Sequence, residues 1–157
     1  MLFKYLSILI VSMIPIIELR GAVPIGIGMG LNPMLTIIVA VFGNIIPIPI
    51  IHIFARKFLI WGSKQKFIGK VCEFFIKKGE KASQKLLSKK NRYGTAIALA
   101  LFVGIPLPGT GAWTGTLGAS FLNLDFKTTM ISVASGVIIA GIIMTTVSVC
   151  GLHILGL

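Results

Sequence analysis

Fourteen of the nineteen charged residues of this chain fall between Arg56 and Arg92. Outside that segment lie charge-free runs at residues 5–17, 21–55, 93–124 and 128–157, of 13, 35, 32 and 30 residues. A hydrocarbon core about 30 Å thick is crossed by roughly 20 apolar residues in a helix. Three of the four runs exceed that length. Of the 157 residues, 55% are hydrophobic and 12% charged, against about 25% charged in an average soluble domain. A soluble domain of this size cannot enclose such runs, so the sequence reads as an all-α integral membrane protein with a single membrane domain, residues 1–157.

The net charge of +11 follows from the same distribution: residues 56–92 carry twelve of the fifteen Lys and Arg, with two Glu. A nucleic-acid binder would spread its basic residues over a polar face, so no nucleic-acid partner is expected. The positive-inside rule predicts a multi-pass protein of the cell membrane with loop 56–92 cytoplasmic. Within the loop, Phe67, Ile68, Val71, Cys72, Phe75, Ala82 and Leu86 fall near helical spacing. They predict one or two amphipathic helices on the anionic inner leaflet, interrupted near Gly79. Cys72 and Cys150 are expected at different depths, as small apolar fillers rather than a disulfide. Lys4 before Tyr5–Ile17 has the outline of a signal peptide, but Glu18 and Arg20 follow at once and Pro24 crowds any cleavage site, so the segment is expected to stay.

Breakers divide the runs unevenly. Residues 5–17 make an arm of about 20 Å, too short to span. Pro24 and the glycines at 26, 28 and 30 predict that helix fails beyond Glu18 and leaves a short second arm over 25–31. Asn32 and Pro33 open a spanning segment, 34–55, kinked by Pro47 and Pro49. In the second half, arms 94–105 and 112–122 flank a run of breakers from Gly104 to Gly111, and a last span runs from Thr128 to about Leu155.

The predicted architecture is two inverted repeats, 1–55 and 93–157, joined by the basic cytoplasmic linker 56–92. Each repeat is a re-entrant broken helical hairpin plus a transmembrane helix. Irregular backbone at membrane depth must be enclosed by protein or line a cavity, so the two hairpin tips are expected to pack together near the midplane. The competing arrangement makes each broken pair one kinked crossing, giving four ordinary spans.

Glu18 and Arg20 carry the most information. A charge at the centre of a spanning helix costs roughly 2.5–3.5 kcal/mol on insertion scales, so one retained near membrane depth points to a role. Positions i and i+2 of an unbroken helix face apart, and a broken backbone would let the two approach. Three readings stand: Glu18 takes up a proton or cation while Arg20 offers its planar fork to an anion; the two form an ion pair that holds the tip; or both lie in the outer headgroup layer. Around them, Gly21, Pro24, Pro106, Pro108, Gly109, Thr110 and Gly111 free backbone amides. Helix starts near Ile25 and Ala112 would turn positive ends toward the midplane, suiting a phosphate. Trp113 lines the cavity or packs in protein, and Thr114 and Thr116 can add hydroxyls. Asn44 reads as a hydrogen bonder across helices, and Asp125 and Lys127 as interface anchors. His52 and His153 lie at opposite ends, so no metal site is expected, and no grouping supplies nucleophile, base and orienter, so neither enzyme activity nor a cofactor is expected.

The stretch Ile16–Pro24, with its Glu18, Arg20, Gly21 and Pro24, together with Pro106–Gly115, resembles the signature segments of the small multidrug export proteins, a group considered related to the DedA and VTT membrane proteins. The resemblance covers nearly the whole chain. It implies opposed re-entrant hairpins and, for the wider superfamily, movement of phospholipids such as undecaprenyl phosphate, with the acidic residue of the first hairpin at Glu18. DedA proteins carry arginines around the proline of the second hairpin, whereas residues 102–111 are uncharged here, which moves the head-group role onto Arg20. The function expected is therefore a lipid-phosphate translocase, with proton or sodium coupling through Glu18. The alternatives are a proton-coupled exporter of small cationic drugs and a membrane scaffold that transports nothing. The expected partners are membrane lipids, the lipid-phosphate or small-molecule substrate, the coupling ion and a second copy of the chain as a homodimer.

Overall fold

A computed structural model of the chain describes all residues except 66–68, 71, 72, 75, 76, 78–88, 108 and 155–157, and all side chains but those of these residues and of 59 and 89–92. The described elements are helices: α1 (Leu2–Met13), α2 (Glu18–Gly28), α3 (Pro33–Ile45), α4 (Pro47–Ser63), α5 (Lys89–Gly104), α6 (Ala112–Phe121) and α7 (Phe126–Ile154). Two stretches are long and apolar enough to cross a bilayer, Pro33–Ser63 and Phe126–Ile154.

The first break falls earlier than expected. Ile14 is extended (φ −74°, ψ 128°) because it precedes Pro15, so α1 stops at Met13. Helix then resumes at Glu18 and runs through Pro24 to Gly28, which corrects both the predicted failure beyond Glu18 and the helix start near Ile25. Pro24 removes one backbone bond, to the carbonyl four residues back. That loss is offset by the packed face of Leu19, Ala22, Val23, Gly26 and Ile27, all buried. In lipid, close approach of small residues holds helices together more than apolar burial does. Gly26 is an instance, since a Cβ there would meet Ile8 at 3.3 Å.

Lys4 Nζ donates to the Met29 carbonyl at 3.1 Å, which sets the start of α1 beside the end of α2 in an antiparallel hairpin. Asn32 caps α3, accepting from the amides of Met34 and Leu35 at 2.9 and 3.3 Å, with Pro33 in the first helical position. α3 packs against both arms. The approach is closest at Gly43, where a Cβ would sit 2.5 Å from the Leu9 carbonyl oxygen and collide with Ser12 Oγ. Gly43→Ala must therefore push α3 off α1. The expected cost is about 2 kcal/mol, seen as a lower melting temperature of the detergent-solubilised protein, and an unchanged melting temperature would contradict this packing.

Ile46 joins α3 to α4 with helical geometry (φ −51°, ψ −46°), and Pro47 opens α4. The helix continues to Ser63, past the expected end at residue 55, so Arg56 and Lys57 lie on α4 and not in a loop. The amphipathic helices predicted around Phe67–Leu86 fall largely outside the described residues, as does Cys72. Glu73 and Lys77, which are described, form an ion pair at 3.6 Å across one helical turn.

α5 lies along α7, where a Cβ at Gly136 would come within 2.6 Å of the Ala100 carbonyl oxygen. α6 lies along α4, and Ser120 Oγ donates to the His52 carbonyl at 3.2 Å. Phe126, the first residue of α7, sets its ring edge-on to His52 at 5.7 Å, which fixes that end of α7 beside α4. Farther along, Gly141 of α7 rests against Ile37 and Val41 of α3. The hairpin α1–α2 is thus held by α3, the pair α5–α6 by α4 and the first half of α7. Between them runs a core of Ile8, Leu19, Val23, Ile48, Val103, Val133 and Val137.

Candidate functional site

The two helical pairs meet at their tips, and the contact is made by the two charges of the first. The turn over residues 14–17 delivers Glu18 in the left-handed region, at φ 50°. That conformation is uncommon for a residue with a side chain and costs about 1 kcal/mol or more, a strain that functional sites retain. The turn is tight enough that a Cβ at Gly21 would strike the Ile17 side chain.

Glu18 is 6% exposed and its Oε1 accepts from the Trp113 amide at 3.2 Å. Trp113 is the second residue of α6, and Gly111, the residue preceding that helix, has no side chain to cap it. The first N–H groups of a helix lack internal partners and carry partial positive charge. A carboxylate reaching over from the other hairpin therefore fills the place of the missing cap. Gly111 is required at this point by space and not by its backbone, which is extended (φ 173°). A Cβ there would lie 2.7 Å from Glu18 Cδ and Oε1.

Arg20 treats the opposite helix end in the complementary way. Its Nη1 donates to the Leu107 carbonyl at 2.7 Å, and its Nη2 to the carbonyls of Val103 and Ile105 at 3.3 and 3.2 Å and to Thr110 Oγ1 at 2.8 Å. These are carbonyls at and just beyond the C-terminus of α5, where a cation is favoured. The Thr110 hydroxyl lies 2.8 and 2.9 Å from the carbonyl oxygens of Ile105 and Leu107 and ties the turn together. Gly109 adopts φ 82°, a conformation in which a side chain is strained. Acid and base thus serve two different helix ends and do not pair: among the described residues no ion pair joins Glu18 to Arg20. The reason is the unbroken α2, on which positions i and i+2 face apart. Glu18 is buried at the tip contact and Arg20 partly so.

Of the other expected site residues, Gly21, Pro106, Gly109, Thr110 and Gly111 lie at the tips. Pro24 is in the body of α2, about 9 Å along the helix from Glu18 at 1.5 Å per residue, and is not part of the contact. Pro108 lies outside the described residues. Trp113 contributes its backbone amide, and its indole Nε1 is buried without a partner. Thr114 and Thr116 spend their hydroxyls on carbonyls of Gly111 and Ala112, at 3.4 and 2.6 Å.

Behind the contact lies a cavity lined by Glu18, Leu19, Arg20, Asn44, Val103, Ala112, Val137 and Ala140, too narrow to seat a water molecule. The space is too small for a substrate head group. Asn44, read from sequence as an ordinary cross-helix hydrogen bonder, is 3% exposed and its Oδ1 has no partner. The signal available in the sequence was an amide inside a 35-residue charge-free run.

A family model described as "Putative small multi-drug export protein" matches residues 18–143. The chain belongs to that family. The matched region starts at Glu18 itself and takes in both tips and the helices that hold them. Membership and the two long apolar helices make it a membrane protein of the small multi-drug export family. No curated protein and no solved structure matches the chain.

Proposed function

We propose that the protein is a multi-pass transporter, not an enzyme, that moves a lipid phosphate across the cell membrane, with Glu18 as the coupling group. In this reading residues 1–55 and 93–157 are inverted repeats whose hairpins are re-entrant, and residues 56–92 face the cytoplasm. The observation that carries it is the tip contact. The positive end of α6 and the Arg20 fork are both anion-recognition elements, and in the closed state both are occupied by the protein itself, by Glu18 and by the α5 carbonyls. A phosphate entering between the tips would displace Glu18 from the α6 amides and take over Arg20. Proton uptake on Glu18 would remove the carboxylate that competes for that helix end. The reading supposes a kinship of the small multi-drug export proteins with the DedA and VTT membrane proteins, whose arginines around the second proline are absent from residues 102–111. Export of small cationic drugs is the weaker reading, because a cation would have to share its site with Arg20.

Reconstituted vesicles decide between them. Wild type is expected to speed the transbilayer movement of a labelled polyprenyl phosphate and not the uptake of a cationic dye, and Glu18→Gln to lose at least tenfold of the lipid rate. Dye uptake driven by a proton gradient and lost in Glu18→Gln would establish the exporter instead. Movement of neither substrate by a folded wild type would establish a scaffold.

A further inference from the structure

The coupling ion, left open between proton and sodium above, can be narrowed from the oxygen atoms at the cavity. Asn44 lies on α3, one residue before Ile45 closes the helix, and lines the same cavity as Glu18. Its Oδ1 is buried and accepts nothing, an arrangement that costs free energy unless a donor arrives. Arg20 does not supply that donor in the structure; its hydrogen bonds go to the carbonyls of Val103, Ile105 and Leu107 and to Thr110. The rest of the lining, Leu19, Val103, Ala112, Val137 and Ala140, offers no polar side chain.

The site therefore presents one carboxyl group and one orphan acceptor in a space too narrow to seat a water molecule. A hard metal cation, sodium included, is held by several oxygens at once, and the lining side chains supply only those of Glu18 and Asn44. A proton needs one oxygen to bind it and one to receive the resulting O–H.

We propose that Asn44 is a positioning residue for the coupling proton: when Glu18 is protonated, its carboxyl O–H donates to Asn44 Oδ1. The inference rests on the reading of Glu18 as the coupling group and adds the identity of the ion and its second partner. A proton from water forms the O–H on Glu18, and the same proton returns to water when the carboxylate is restored. Loss of the negative charge frees the α6 amides, and the bond to Asn44 holds the neutral side chain toward α3.

The charged and titratable groups on the packed helices, beside Glu18, are Arg20 on α2; Lys4 and Tyr5 on α1; His52, Arg56 and Lys57 on α4; Lys89, Lys90, Arg92 and Tyr93 on α5; and Lys127, Cys150 and His153 on α7. Of these only Arg20 lines the cavity with Glu18 and Asn44 among the described residues. Its charge is constant over the pH range of the test.

The test follows the protonated-carboxyl infrared band that vanishes in Glu18→Gln, in protein reconstituted into vesicles and titrated with pH. Asn44→Leu, which keeps the volume and removes the acceptor, is expected to lower the midpoint by about one pH unit, a tenfold loss of proton affinity. Asn44→Thr, which restores an oxygen, is expected to return most of the shift, and the pH profile of transport to move in step. Should the leucine variant not assemble, Asn44→Ala against Asn44→Thr gives the same comparison. An unmoved midpoint overturns the proposal. So does one that rises, which would show the amide donating to the carboxylate, or one that follows sodium concentration. Transport that survives Glu18→Gln overturns the coupling reading itself. Transport lost in Glu18→Gln with the midpoint unmoved in the Asn44 variants overturns the role of Asn44 alone.

Discussion

Arg20→Ala is expected to part the two hairpin tips and to cost about 3–5 kcal/mol of stability. The guanidinium supplies donors to three carbonyls and a hydroxyl of one turn. Each hydrogen bond from a charged group is worth about 1.5–3 kcal/mol, and the four share one side chain, so they do not add in full. Truncation also leaves the carbonyls of Val103, Ile105 and Leu107 without the donors that join the two tips. Lysine does not rescue this geometry. Its ammonium concentrates three protons on one atom, whereas the fork reaches Leu107 from one nitrogen and Val103, Ile105 and Thr110 from the other. Thermal unfolding in detergent checks both variants, and an Arg20→Lys protein as stable as wild type would show that charge alone holds the tip.

Gly111→Ala is the second large effect, and it isolates Glu18. The backbone at Gly111 is extended, so alanine is free to adopt it, and the conflict is between the added methyl and the Glu18 carboxylate. Forcing the carboxylate off the α6 amides should cost about 2–3 kcal/mol and reduce transport at least tenfold. A double-mutant cycle separates this from a general disturbance of the tip. In a Glu18→Ala background the methyl has room, so the same substitution at Gly111 is expected to cost under about 0.5 kcal/mol. Equal costs in the two backgrounds would mean that the methyl acts on something other than Glu18.

Much of this could be read from the sequence, in unequal measure. Charge-free runs interrupted by breakers gave the helix content, and Asn32–Pro33 and the start of α6 at Ala112 fell where capping and proline chemistry put them. An arm drawn over the whole charge-free run 5–17 passes across Pro15, whereas α1 stops at Met13. A proline in the body of a helix costs one hydrogen bond, which tertiary packing offset at Pro24; Pro15 instead forced Ile14 out of helical geometry. Glu18 and Arg20 were singled out as retained charges near membrane depth, but their partners were not legible. An amide at Trp113 and carbonyls at 103, 105 and 107 are backbone atoms that every residue carries, so only folding reveals which of them are aimed at a charge. The orphan acceptor of Asn44 was hidden for a related reason, since sequence shows an amide but not whether anything donates to it.

The proposal that the hairpins enter from opposite faces is tested most directly by the sidedness of Lys127, which is exposed one residue past Phe126 and its contact with His52. In a background with Cys72 and Cys150 replaced by serine, single cysteines at Met29, Lys64 and Lys127 would be labelled with a membrane-impermeant maleimide from each side of oriented vesicles. Lys127→Cys is predicted to react from the same side as Lys64→Cys, with Met29→Cys reacting from the other. Reaction of Lys127→Cys on the side of Met29→Cys would make the second pair a plain crossing and contradict the account.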